Sequence, residues 1–202
     1  MINFFNIFYT KMKIVLICGR KGSGKDTFAN LINGVINKNS LSGKFSIKKV
    51  NENINNLDYF LNKQHTPIVK FANPLKESVL YGLMGLNNNE FDNYEKIKDK
   101  SDAINYNGTI RNYMIAVAEV VRNIDEDFFA KRMYQNLLNN ENKIFVCTDW
   151  RYPNEYEYLK SKKVEIIKIR INRSKNPNPF LDHESETSLD NYPMDYIIDV
   201  IE

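Results

Sequence analysis

The feature that most constrains this chain is a nine-residue turn, Gly19-Arg20-Lys21-Gly22-Ser23-Gly24-Lys25-Asp26-Thr27, set between two segments of different periodicity. Ahead of it, Ile14 to Cys18 is an unbroken apolar run rich in branched side chains, the pattern of a strand buried on both faces of a parallel sheet. Behind it, Phe28, Leu31, Ile32, Val35 and Ile36 recur at helical spacing and predict a helix over residues 26–37. A buried strand that runs through glycines into a helix can present successive backbone N–H groups, and the helix N-terminus behind them, to one anion.

The turn fits the G-x-x-x-x-G-K core of the P-loop, with Thr27 one place later than the consensus hydroxyl. This assigns Gly19, Lys21, Gly22, Ser23, Gly24, Lys25, Asp26 and Thr27 to the phosphates of ATP. Lys25 is the cation expected to bridge the β- and γ-phosphates and to follow the charge as it moves. Asp26 stands where Ser or Thr usually contacts Mg²⁺. A carboxylate is a hard oxygen ligand and can serve there directly or through water, which leaves Thr27 for the α-phosphate.

Downstream, strand and helix patterns alternate. Strands are expected over residues 67–72, 144–148, 164–171 and 196–200, and helices from Pro74 onward and over 109–122, 127–138 and 154–160. The 109–122 helix reads as buried. Residues 38–66 read as a loop with a short helix near 57–61, residues 87–107 as a surface helix and loop, and residues 172–188 as a mobile loop. Alternation of this kind argues for an α/β chain of the P-loop NTPase type, in three layers, with a parallel sheet, helices on both faces and a lid loop over 172–188. The 202 residues suit a single domain. Residues 1–11 read as an extra segment ahead of a working start at Met12. They lack a basic start and a cleavage site, and they are too short and polar to span a bilayer.

The balance of 28 basic and 25 acidic residues opposes a bulk nucleic-acid partner but leaves room for a local cluster of cations around a small anion. Cys18 and Cys147 both sit in apolar runs and read as core thiols, in a chain suited to a reducing compartment. The sequence leaves open whether the chain pairs as a homodimer.

A kinase joins two polyanions and needs cations on both sides of the transferring group. Lys76, Arg111, Arg122, Arg151, Arg170 and Arg173 are the candidates that border apolar runs or loops, beside Arg20 and Lys21 in the turn. Arg111 and Arg122 are close to three helical turns apart and share a face, about 16 Å from each other. One of them, Arg111 in preference, is assigned to an acceptor phosphate through a planar bidentate grip. Arg122 either binds acceptor or orients a carboxylate, and helix-end salt bridges are the plain alternative for both. Asp149 follows a buried strand at the end where α/β sheets bind ligands. It is a candidate for metal waters or the attacking group, with a turn or cap role as the alternative. Arg151, two residues on, faces the same side. Arg170 and Arg173 lead into the lid loop, whose closure would bring arginine to the β/γ-phosphates and exclude water. Glu186 suits a sugar hydroxyl or a lid arginine. His183 suits a lid hydrogen bond better than a general base. His65 reads as surface, and Phe128 or Phe129 as a stacking partner for a base.

Gly24-Lys25-Asp26-Thr27 resembles the deoxynucleoside monophosphate kinases of T-even bacteriophages, and the resemblance continues in order along the chain. Its further parts are Phe71-Ala72-Asn73-Pro74-Leu75-Lys76, then Thr109-Ile110-Arg111 with Glu119-Val120-Val121-Arg122, then Asp127-Phe128-Phe129. Thr148-Asp149-Trp150-Arg151 through Glu155 and His183-Glu184-Ser185-Glu186 complete it. Animal-type phosphomevalonate kinases share part of the pattern. The resemblance implies transfer of the γ-phosphoryl group of ATP, with Mg²⁺, to a deoxynucleoside monophosphate. It implies that Asp149 and Arg151 handle the acceptor. It also implies small-molecule nucleotide partners, no membrane, and a cytoplasmic setting, the host's if the chain is viral.

Overall fold

The computed structural model describes residues 12–32, 44–51, 66–86, 107–141, 143–173 and 184–201. The expectations for residues 1–11, the end of the first helix, the short helix near 57–61, most of 87–107, and both histidines lie outside these residues.

Six strands form one sheet in the order β2-β6-β5-β1-β4-β3. β1 (Lys13–Cys18) is central and pairs in parallel with β4 (Ile144–Cys147) and with β5 (Glu165–Arg173). β3 (Ile68–Val69) extends the parallel order beyond β4, and β6 (Tyr196–Ile201) extends it beyond β5. β2 (Lys44–Lys49) closes the other edge antiparallel to β6. The sheet is therefore mostly parallel, and the loop expected over 38–66 contains an edge strand.

β1 is buried on both faces, as its continuous apolar run requires. Ile14, Leu16 and Cys18 join one apolar cluster, and Val15 and Ile17 join another. The first cluster holds residues of α2 (Asn73–Glu77), α3 (Ile110–Ile124), α4 (Phe128–Leu138) and α5 (Pro153–Ser161). The second holds Phe28 and Ala29 of α1 (Lys25–Ile32) with Ile167, Ile169 and Ile171 of β5. Both cysteines are buried free thiols in the core, as expected.

Three boundaries differ from the sequence expectation for physical reasons. β3 is only two residues long because the chain turns at Phe71 and Ala72, whose amides are taken by the Asp149 carboxylate. α3 is amphipathic, not wholly buried. Ile110, Met114 and Ala118 face the core at a spacing of four, while Val120 and Ile124 are exposed. Thr109 caps this helix, accepting from the Asn112 amide at 3.2 Å. β5 runs on to Arg173, so Asn172 and Arg173 belong to the sheet and not to the loop, and Glu184–Thr187 forms a short helix, α6. Pro74 lies in the first turn of α2, where its missing N–H is harmless, and a π-helical stretch, Ser78–Leu83, continues that helix.

Candidate active site

The glycine turn joins β1 to α1 at the carboxyl end of the central strand. Gly19, Gly22 and Gly24 have φ of 144°, 81° and 96°, which fold the chain back on itself. At Gly19 there is no space for a side chain. A Cβ there would lie 2.4 Å from the Ile171 carbonyl oxygen of β5 and 2.8 Å from Ser23 Oγ. Ser23 Oγ is buried with no hydrogen-bond partner among the described residues. Such a hydroxyl costs on the order of 1–3 kcal/mol until a partner is supplied.

Lys25 curls over the turn and donates to the Gly19 and Arg20 carbonyls at 2.6 and 2.8 Å. Burial, reinforced by the charge of Arg151, lowers its pKa to about 8 despite the opposing carboxylates of Glu186 and Asp26. Asp26, in the first turn of α1, accepts from Thr148 Oγ1 at 2.7 Å and from Lys70 Nζ at 3.2 Å. Burial raises its pKa, but these two partners outweigh burial and hold it below the usual carboxylate range.

In front of the turn lies a cleft of about 470 Å³. Lys21, Gly22, Lys25 and Asp26 border it on the turn side, and Lys76, Arg111, Arg122, Asp149, Arg151 and Glu186 also line it. The structure thus brings most of the sequence candidates to one cavity. Arg111 and Arg122 share a helix face toward it, as their spacing requires. Gly19 and Arg170 border a smaller adjoining hollow together with Lys25, Arg151 and Glu186. Ser23, Gly24, Thr27 and Arg173 do not line the cleft. Arg173 instead donates to the Gly22 carbonyl at 3.2 Å, which braces the turn from β5.

Several candidates are already engaged. The two oxygens of Asp149 accept from the amides of Phe71 and Ala72 at 2.9 and 3.0 Å, the turn-holding role that the sequence left as its alternative. Cys147 Sγ donates to the same carboxylate at 3.2 Å. Arg151 Nη1 donates to the Ser185 carbonyl at 2.9 Å and pairs with Glu186. Glu186 also accepts from the Lys21 amide at 2.9 Å, so one carboxylate ties α6 to the glycine turn and to Arg151. Burial raises the pKa of Glu186, but the charge and hydrogen bond of Arg151, the Lys21 amide and the Lys25 charge together bring it below the usual carboxylate range. Arg170 donates to the Leu189 carbonyl and, at 3.3 Å, to Asp190, which also receives Arg20 at 2.5 Å.

The cleft contains functional-looking residues that the sequence did not single out. Lys70 reaches Asp26 from the turn after β3. Glu155, one turn into α5, is 3 % exposed and accepts from the Arg151 and Tyr152 amides at 3.0 and 3.1 Å. Burial, reinforced by the Asp149 charge, pushes its pKa up to about 7 against those hydrogen bonds. Glu155 closes the Asp149-to-Glu155 motif, and that position was the available signal. Lys70 and Tyr152 had none. Of the two phenylalanines proposed to stack, Phe129 lines the cleft; its ring packs against Arg122.

A mostly parallel α/β sheet with a glycine turn and buried lysine at the end of its central strand, facing a cleft lined by lysines and arginines, is consistent with a phosphotransferase fold of the P-loop kinase kind. Residues 48–200 match the sequence profile of the deoxynucleotide monophosphate kinase family, and the chain belongs to that family. Its reaction is ATP-dependent phosphoryl transfer to a deoxynucleotide monophosphate. No curated protein sequence matches the chain significantly. The profile match begins after the glycine turn, so it covers Arg111, Arg122 and Arg151 but not Lys25 or Asp26. No helix among the described residues is long and apolar enough to cross a membrane.

Proposed function

We propose that the glycine turn grips the triphosphate of ATP and that the Lys76, Arg111, Arg122 and Arg151 side of the same cleft receives the deoxynucleoside monophosphate. The observation that carries this reading is the single cleft of about 470 Å³ that is lined by the turn and by both α3 arginines. The assignment to the turn covers Gly19, Lys21, Gly22, Ser23, Gly24, Lys25, Asp26 and Thr27, in a P-loop fold with a lid segment that follows β5. Inward amides and the α1 N-terminus neutralise phosphate charge, and the buried ammonium of Lys25 follows that charge toward the acceptor. A phosphate oxygen entering the turn competes with Glu186 for the Lys21 amide, and displacing Glu186 frees Arg151 to face the transferring group. Arg170, in the adjoining hollow, adds a cation on the donor side, and Arg173 braces the turn through the Gly22 carbonyl. The acceptor phosphate is itself an anionic nucleophile, so positioning and charge neutralisation dominate over base catalysis. Asp149 contributes by fixing the turn at Phe71 and Ala72, from which Lys70 and Lys76 reach the cleft.

Mg²⁺ fits this chemistry through one residue. Asp26 is a hard oxygen donor bordering the cleft, and Mg²⁺ is commonly held by one or two carboxylates with the rest of its shell from phosphates and water. Among the described residues no group of three His, Cys, Asp or Glu side chains gathers for a metal. When bound, the ion neutralises charge on the donor phosphates. Thr148 and Lys70 both donate to Oδ1 of Asp26, so Oδ2 is the oxygen that would hold the ion.

The test is Lys25→Met. Calorimetry with a non-hydrolysable ATP analogue, and a product assay across the four deoxynucleoside monophosphates, should show transfer reduced by at least about a thousandfold. The folded variant transferring phosphate at the parental rate would remove the donor assignment.

A further inference from the structure

Arg122 is held in a manner unlike the other arginines with described partners. Its guanidinium carbon lies 4.2 Å from the centroid of the Tyr152 ring and 4.7 Å from that of Phe129. All three residues line the cleft. Among the described residues it forms no hydrogen bond or ion pair. By contrast, Arg20 and Arg170 share Asp190, Arg151 is taken by Ser185 and Glu186, and Arg173 by Gly22.

The physical consequence differs between the two modes. A carboxylate fixes an arginine by consuming its N–H donors and cancelling its charge. An aromatic face fixes the guanidinium plane while leaving the N–H edge and the charge available. Glu155, the carboxylate below this end of the cleft, has its accepting oxygen turned to the Arg151 and Tyr152 amides. Burial also raises its pKa to about 7, with the Arg122 charge among the weaker opposing influences. Tyr152 and Phe129 come from different elements, the turn before α5 and the first turn of α4. The clip therefore exists only in the folded cleft.

We propose that Tyr152 and Phe129 are positioning residues that hold the Arg122 guanidinium flat, so that its open N–H fork receives the anionic group of the acceptor monophosphate. This rests on the acceptor-side reading above and deepens it: Arg122, which the sequence placed behind Arg111, is the pre-oriented fork. Because Phe129 is part of the core, Tyr152 is the residue to change.

The experiment is steady-state kinetics of the full chain with dTMP and ATP, each varied at saturating partner, alongside thermal unfolding. Tyr152→Leu should raise the KM for dTMP about five- to tenfold, as expected for losing a partly desolvated cation–π contact, and leave the KM for ATP within about twofold. Tyr152→Phe, which keeps the ring, should bring the dTMP KM back to within about twofold of the parent. If the Leu variant does not fold, Tyr152→Met carries the same expectation. Arg122→Ala separates the two layers of the claim. A raised dTMP KM in Arg122→Ala with an unchanged one in Tyr152→Leu overturns the clip and leaves the acceptor site standing. An unchanged dTMP KM in Arg122→Ala overturns the acceptor-side reading with it. Equal damage from Tyr152→Phe and Tyr152→Leu also overturns the clip, since the ring would then be irrelevant.

Discussion

Gly19→Ala should be far more damaging than the same methyl added at Gly24 of the glycine turn, and the structure separates two reasons. The first is conformational: φ at Gly19 is 144°, a region that L residues enter at about 1–3 kcal/mol. The second is steric. The new Cβ would sit 2.4 Å from the Ile171 carbonyl oxygen, and that atom is backbone of β5, which is paired to β1 on one side and to β6 on the other. It cannot swing away as a side chain would. Overpacking against a fixed neighbour adds about 1–3 kcal/mol, so the two effects together reach on the order of 2–6 kcal/mol, a large share of a typical domain's 5–15. Gly24→Ala is the internal control, because φ is 96° but nothing lies within 4 Å of its Cβ. It should show the conformational part alone. Urea unfolding followed by circular dichroism measures both, with ATP-analogue calorimetry on the folded fraction. The reasoning is refuted if Gly19→Ala lies within about 0.5 kcal/mol of the parent, or if it and Gly24→Ala are equally destabilised.

Glu155 gives a pH dependence. Burial raises its native pKa to about 7 from an ordinary 4.5, so the native state binds its proton more tightly. The resulting stabilisation is fully present below about pH 4.5 and is lost as pH rises through 7, a change of about 3 kcal/mol; in Glu155→Gln that slope should vanish from urea midpoints taken between pH 5 and 8. Asp26→Ala should lose far more transfer activity than Thr27→Ala when Mg²⁺ is limiting, and parental activity in Asp26→Ala would end the metal assignment. Since Lys25 titrates near 8, where about half of it is neutral, ATP binding at pH 8 should draw in up to about half a proton. Calorimetry in buffers of different ionisation enthalpy detects that uptake, and buffer-independent heats would contradict it. Glu186→Gln should tighten ATP-analogue binding about threefold or more by removing the charge that faces the Lys21 amide; weaker binding would mean that Glu186 assists the donor instead of competing with it.

The parts of the fold that could be read from sequence are those whose pattern is local. β1 announces itself because a central parallel strand needs apolar side chains on both faces, and the glycine turn because its backbone bends where only glycine bends cheaply. β2 sends no such signal. Ile47 is 55 % exposed on an edge strand, so no alternation of apolar and polar residues is demanded of Lys44–Lys49. The early end of β3 is invisible for another reason. It depends on a carboxylate 77 and 78 residues further along the chain capturing two amides. The exposed Val120 of α3 helped an amphipathic helix look buried, since an apolar residue predicts burial only when its neighbours are known.

The same distinction governs the site, and it explains why the cations were easier to find than their roles. A kinase cleft must be positively charged for two polyanions, yet before they enter, each buried cation has to be compensated or displaced in pKa. The fold uses every available means. Lys25 is partly discharged by burial and leans on two carbonyls of its own turn. Arg151 is held by Glu186, and Arg20 and Arg170 share Asp190. Arg122 is held by two rings. Sequence shows the cations because arginine and lysine beside apolar runs are conspicuous. It hides the compensation because each partner arrives from a distant segment: Glu186 is 35 residues from Arg151, and Asp190 is 170 from Arg20. The choice of partner then carries functional meaning. A cation held by a carboxylate must exchange one anion for another when substrate binds, whereas one held by aromatic faces keeps its partner and gains an anion. The carboxylate-held arginines therefore suit steps that require a change of partner. The ring-held Arg122 suits a station that must be ready before the acceptor arrives.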